Sequence, residues 1–211
     1  MRTFPDQATA IKADAAHLAR TDRRLGRAAR VAGDFPVLLR PPGYATLTWL
    51  VLGQQVSIAA ARAMFDRLNS TLGGEVTPGG LLGLDDDAMR ACGFTRMKAG
   101  YARGIAAAIT DGTFDIDALS AMGDADALEA LTSLRGIGVW TAENYLMWAL
   151  GRRDLFPAGD LALRVGWQRL TDADDPPTEG QLRRLAAGWA PRRTAASFLI
   201  WYFYLGERAG E

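Results

Sequence analysis

The chain has 211 residues, 49% of them hydrophobic and 23% charged, with 24 basic and 24 acidic side chains. That is the composition and length of one globular domain, taken as 1–211, and it excludes disorder and collagen-like repeats. A single cysteine, Cys92, and a single histidine, His17, exclude an internal disulfide, a thiolate zinc site and a cysteine-ligated iron–sulfur cluster. Any catalysis is expected to rest on carboxylates.

Helical patterning begins near the N-terminus and is predicted over 6–31, a stretch in which five arginines and one aspartate fall between Arg20 and Arg30. Nothing ahead of it reads as a signal peptide. Further helices are predicted over 44–52, 56–72, 85–91, 97–110, 124–133, 139–150, 160–170, 178–188 and 192–206. Loops are expected at Arg40-Pro41-Pro42-Gly43, Gly73-Gly74, Gly79-Gly80 and Asp175-Pro176-Pro177. Six acids and no base lie from Asp111 to Glu129, while Gln181 to Gly206 carries four arginines and no acid. One basic face on a neutral chain suits local contact with an anion, although solvated helix faces give the same pattern. No strand alternation persists, and no apolar run reaches the roughly 18 residues a membrane helix needs. The expectation is an all-α chain of about ten short helices, with two helical lobes around a cleft, soluble and cytoplasmic.

The most informative stretch is Leu131–Leu150. A helix ends near Leu134, Gly136-Ile137-Gly138 makes a tight turn, and a second helix opens at Val139. Backbone N–H groups at the start of that helix, with its dipole, can hold a phosphate without any lysine. A plain helix–helix turn has the same glycines, so the motif alone does not decide.

Leu134-Arg135-Gly136-Ile137-Gly138-Val139-Trp140-Thr141-Ala142 resembles the helix–hairpin–helix of the base-excision DNA glycosylase superfamily, with the hairpin motif spanning about 124–150. Phe156-Pro157-Ala158-Gly159-Asp160 is similar to that superfamily's Gly/Pro loop ending in an essential aspartate. Gly53-Gln54-Gln55-Val56-Ser57, Cys92 to Ala99, and Trp189 to Ala196 with Trp201 also match its segments, in order, from about residue 40 to 206. Trp140 stands where bifunctional members carry a lysine that attacks the sugar. The only lysines are Lys12 and Lys98, and Lys98 is expected to be a salt-bridge partner on a helix. The resemblance is therefore to the monofunctional DNA-3-methyladenine glycosylase II branch, without the N-terminal β-domain of its longer bacterial members.

That resemblance implies release of alkylated purines from double-stranded DNA. By the same resemblance Asp160 is expected to be the catalytic carboxylate, and by sequence it is also a good helix N-cap. Trp140, Trp201, Tyr202 and Asn144 are expected to line the base pocket. Gly136, Ile137, Gly138 and Thr141 would grip phosphate, with Arg164 and Arg193 adding charge and Gln55 as the wedge that fills the gap left by the flipped base. No cofactor is expected beyond a structural Na⁺ or K⁺ on the carbonyls of Thr132, Leu134 and Ile137. A monomer is expected, because DNA must reach an open cleft. Two rival readings remain at this level: a non-catalytic DNA-binding module, and a bifunctional glycosylase for oxidised bases.

Overall fold

In the computed structural model, which describes residues 4–209, the predicted first helix is two. Asp22 leaves helical geometry at φ −120°, ψ 117°, and its carboxylate accepts from Arg24 N and Leu25 N. It thereby ends α1 (Phe4–Thr21) and caps α2 (Arg23–Ala32). The indole of Trp189 donates to the other Asp22 oxygen at 3.1 Å. What reads as one amphipathic run is thus broken by a single buried-side cap.

Ten further α-helices follow among the described residues. They are α3 (Tyr44–Gly53), α4 (Ile58–Thr71), α5 (Pro78–Leu82), α6 (Asp86–Ala91), α7 (Arg96–Thr110), α8 (Asp124–Ser133), α9 (Val139–Trp148), α10 (Leu161–Thr171), α11 (Glu179–Ala186) and α12 (Arg193–Ala209). Two short 3₁₀ turns lie at Ala118–Ser120 and Ala187–Trp189, and no strand occurs among the described residues. The expected Gly79-Gly80 loop is helical. Thr77 accepts from Gly80 N and Pro78 occupies the first helical turn, where its missing N–H has no helix partner to lose. No described helix is long and apolar enough to cross a membrane.

The helices fall into two compact units, Met1–Leu39 with Gly151–Glu211, and Arg40–Leu150. In the first unit α12 packs on α1, α2 and α10. Its interior holds Ile11, Leu25, Leu163, Leu199 and Phe203. In the second unit α3 is apolar all round, and α4, α7 and α9 cover it, as a fully buried helix requires. Two phenols tie its N-terminal end: Tyr44 Oη donates to Ala102 O at 3.0 Å, and Tyr145 Oη accepts from Gly43 N at 2.9 Å. Burial pushes both up to about 12, so they act as neutral hydrogen-bonding groups.

Candidate active site and DNA-binding hairpin

Asp160 sits at the start of α10 with extended backbone, φ −68° and ψ 125°. Its Oδ1 accepts from Ala162 N at 2.9 Å and Leu163 N at 3.1 Å, which is the N-cap that its sequence context predicts. The same oxygen accepts from the indole Nε1 of Trp201 at 3.2 Å. Gly166 makes that contact available. A Cβ there would lie 2.9 Å from Ile200 Cγ2 and 3.1 Å from Ile200 O, so glycine lets α10 close on α12 and brings Trp201 to the cap. The loop before Asp160 is fixed at its other end. Arg193 chelates Asp154 through Nε at 2.8 Å and Nη2 at 2.9 Å, and Thr194 Oγ1 donates to Arg152 O at 2.7 Å. Burial alone would raise the Asp154 pKa. The Arg193 guanidinium and backbone N–H outweigh it and hold the carboxyl below its ordinary value. Asp160 itself, with its Oδ1 held by two backbone N–H groups and an indole, is oriented before any ligand arrives.

The second unit carries the hairpin. α8 ends at Ser133, and Ile137 N donates to Leu134 O at 3.0 Å to close the turn. Gly136 is demanded by the fold. Its φ is +93°, and a Cβ would stand 2.2 to 2.6 Å from ring carbons of Tyr101. Gly138 is not so demanded. Its φ is −90°, it is exposed, and a Cβ would meet nothing within 4 Å. It is the N-cap of α9, which has no side-chain cap, so the partial positive charge of that helix end faces outward. A glycine that the fold does not require, at an open helix start, suits close approach of an anion to the backbone.

The turn between α3 and α4 presents Gln55 to solvent in the left-handed region, φ +59°, unusual for a residue with a side chain. Val56 and Ile58 beside it are also exposed. Trp140 is half-buried.

Three expectations need correction. Asn144 is 0% exposed and its Nδ2 donates to Trp140 O at 2.7 Å, so it faces inward and fixes the first turn of α9. Thr141 is 2% exposed, and its Oγ1 accepts from Gln54 Nε2 at 3.1 Å, so the hydroxyl is buried against the Gln54 amide and not presented at the surface. Lys98 is not an ion-pair partner: its ammonium donates to the carbonyls of Leu52 and Gln54, each at 2.7 Å. The remaining assignments are partly committed elsewhere. Arg193 carries the Asp154 carboxylate. Arg164 Nε donates to Pro177 O at 2.7 Å, and Tyr202 stacks on Phe35 with centroids 5.0 Å apart. The side chain of Ile137 is buried, which leaves only its backbone at the turn.

A family model described as HhH-GPD superfamily base excision DNA repair protein matches residues 48–192, a span that holds the hairpin, Asp160 and the Gln55 turn. The chain belongs to the HhH-GPD superfamily. It is similar to DNA-3-methyladenine glycosylase 1 of Schizosaccharomyces pombe, at 31% identity over 88% of this chain and 84% of that protein. It superposes on the structure of the Schizosaccharomyces pombe 3-methyladenine DNA glycosylase in complex with abasic DNA, with a TM-score of 0.83 over 89% of this chain and 94% of that one, at 31% identity. A DNA-3-methyladenine glycosidase from Bacillus halodurans gives a TM-score of 0.76 at 30% identity, over 92% of this chain and 89% of that one.

Two residues of this HhH-GPD chain escaped the sequence reading. Gln54 Nε2 donates to Gly136 O at 2.9 Å as well as to Thr141, so it ties the Gln55 turn to the hairpin. Tyr101 forms the floor under Gly136. Lys98 and Tyr101, one turn apart on α7, were legible as a helix face and no further. Among the described residues no group of three or more His, Cys, Asp or Glu could hold a metal.

Proposed function

We propose that this chain is a monofunctional DNA glycosylase. It flips alkylated purines of the 3-methyladenine and 7-methylguanine type out of double-stranded DNA and hydrolyses the N-glycosidic bond, leaving an abasic site for base excision repair. The observation that carries this reading is the Asp160 carboxylate, held by two backbone N–H groups and the Trp201 indole, in a HhH-GPD chain with a relative, matched over 84% of its length, that is named for 3-methyladenine.

A purine alkylated at N3 or N7 is cationic, so it leaves readily and asks little of an acid. As the C1′–N bond breaks, its electron pair stays on the purine and positive charge gathers on the deoxyribose, as in glycosidase transition states. Asp160 stabilises that charge. Water then forms the C1′–O bond and gives up a proton to the carboxylate or to solvent. Trp140 and Trp201 supply electron-rich faces for the cationic ring, with Tyr202 beside Trp201 in sequence. Gln55 enters the stack where the base has left. The amides of Gly136, Gly138 and Val139 meet the phosphate, with Ile137 holding the turn that presents them, and Arg164 and Arg193 add charge at longer range.

A monovalent cation fits the hairpin. Thr132 lies in the last turn of α8, where carbonyls have no helix donors, and the Leu134 carbonyl, bonded once to Ile137 N, keeps a second lone pair. With Ile137 O these would hold Na⁺ or K⁺ as a structural charge and no more. We place the protein in the cytoplasm as a monomer on DNA.

The test is chromatographic detection of free base from DNA treated with a methylating agent, with wild type beside Asp160→Asn. Release of 3-methyladenine or 7-methylguanine by wild type alone is the expected result. Binding without release by either protein would overturn the enzyme in favour of a binding module.

A further inference from the structure

Lys98 is 7% exposed, yet its ammonium meets no carboxylate. It spends its donors on Leu52 O and Gln54 O, at the point where α3 runs out of N–H partners for its last carbonyls. The next residue, Gln55, is the one at φ +59°. Removal from water pulls the Lys98 pKa below the ordinary lysine value, so the ammonium is kept there against a desolvation cost. Three residues on along α7, Tyr101 lies under Gly136, too close for any Cβ. Gln54 completes the frame by donating to Gly136 O and Thr141 Oγ1. One face of α7 therefore holds both loops: Lys98 the turn that carries Gln55, Tyr101 the hairpin.

From this arrangement we propose that Lys98 is a positioning residue, which through the carbonyls of Leu52 and Gln54 keeps Gln55 at a fixed stance relative to the Gly136–Gly138 hairpin. The proposal rests on the reading of Gln55 as the wedge. A wedge is useful only if it arrives already aimed, since every rotamer frozen on binding subtracts from affinity. A backbone in the left-handed region does not stay there unaided, and two charge-assisted hydrogen bonds at the preceding carbonyls restrain it. The amine is not a nucleophile in this scheme. Its lone pair is occupied by the proton it needs in order to donate.

The experiment uses the whole chain and two duplexes, one undamaged and one with a tetrahydrofuran abasic-site analogue flanked by 2-aminopurine. Lys98→Met, Gln55→Ala and the double variant are compared for affinity, for 2-aminopurine fluorescence, and for base release from methylated DNA. Lys98→Met is expected to lose about tenfold or more in abasic-site affinity, the scale set by losing hydrogen bonds to a charged group. Its affinity for undamaged duplex should hold within about twofold, because hairpin amides supply that grip. The double variant should match the weaker single variant, since Lys98 acts only through Gln55. Should Lys98→Met fail to fold, Gln54→Ala is put through the same cycle and is expected to be equally non-additive with Gln55→Ala. Wild-type behaviour of Lys98→Met, or losses that multiply in the double variant, would overturn the positioning role while leaving the glycosylase intact. A wild type that neither releases base nor prefers the abasic duplex would overturn the glycosylase reading, and this inference with it.

Discussion

Asp160 has one observed role and one proposed role, and substitution can separate them. As an N-cap it supplies Oδ1 to Ala162 N and Leu163 N; as the proposed stabiliser of charge at C1′ it supplies a full negative charge. Asp160→Asn keeps an oxygen for both backbone donors and for Trp201 Nε1, and asparagine caps about as well as aspartate, so stability should fall by less than about 1 kcal/mol. Asp160→Ala removes the cap, about 1 kcal/mol, and takes the partner from the Trp201 N–H, about 1–2 kcal/mol more. The sum, about 2–3 kcal/mol, corresponds to roughly 4–12 °C in Tm for a chain of this size. Catalysis should follow a different order. Both variants lose the charge, and removing one preorganised electrostatic group typically costs about 10²–10³ in rate. Urea unfolding and single-turnover base release, measured on the same preparations, give both quantities. If Asn retained more than a tenth of wild-type turnover, or if activity tracked stability across the three proteins, Asp160 would be a cap alone.

The two hairpin glycines should part company. Gly136→Ala forces a Cβ into the Tyr101 ring at positive φ, and should destabilise by about 2–4 kcal/mol, with the steric share recovered in Tyr101→Ala. Gly138→Ala should leave unfolding within about 1 kcal/mol of wild type and still weaken DNA binding; equal affinity for DNA would remove Gly138 from the interface. Arg193→Met should flatten the acid limb of stability. Asp154 is held below its ordinary value, so the pair contributes fully above about pH 4 and is lost as pH falls through the lowered value. Because the pair is about a third exposed, the gap between wild type and variant should be about 0.5–1 kcal/mol at pH 7 and should close as the pH falls through the lowered Asp154 value. Borohydride added during reaction with methylated DNA should trap no covalent adduct, since Trp140 has no amine; a trapped band, seen by gel, would restore the lyase reading.

Features governed by neighbours in sequence were legible, and features governed by partners far along the chain were not. Asp160 reads as a cap because its donors are two and three residues on, and α5 could have been read from Thr77-Pro78 by the same local chemistry. Asp22 was passed over because the flanking arginines mask a cap that sits between two helical patterns. Asn144 and Thr141 follow Trp140 in a helix whose inward face only packing defines, so positions taken from the family resemblance carried no sign that both side chains are buried. Lys98 misled for a physical reason. A lysine among surface helices normally seeks a carboxylate, and nothing local announces that two carbonyls at the end of another helix will accept its hydrogen bonds.

The first unit is assembled from both ends of the chain, whereas the second is one continuous segment, Arg40–Leu150. On the ribosome the hairpin and its α7 frame can therefore fold while α10 and α12 are still unmade. At roughly 5–20 residues per second the interval is about 3–12 s. During it the nascent chain holds the proposed phosphate grip and has neither the Asp160 cap nor the Trp201 indole. On the proposed reading, a message truncated before α12 would yield the hairpin without the Trp201 indole that orients Asp160, and so DNA binding without base release.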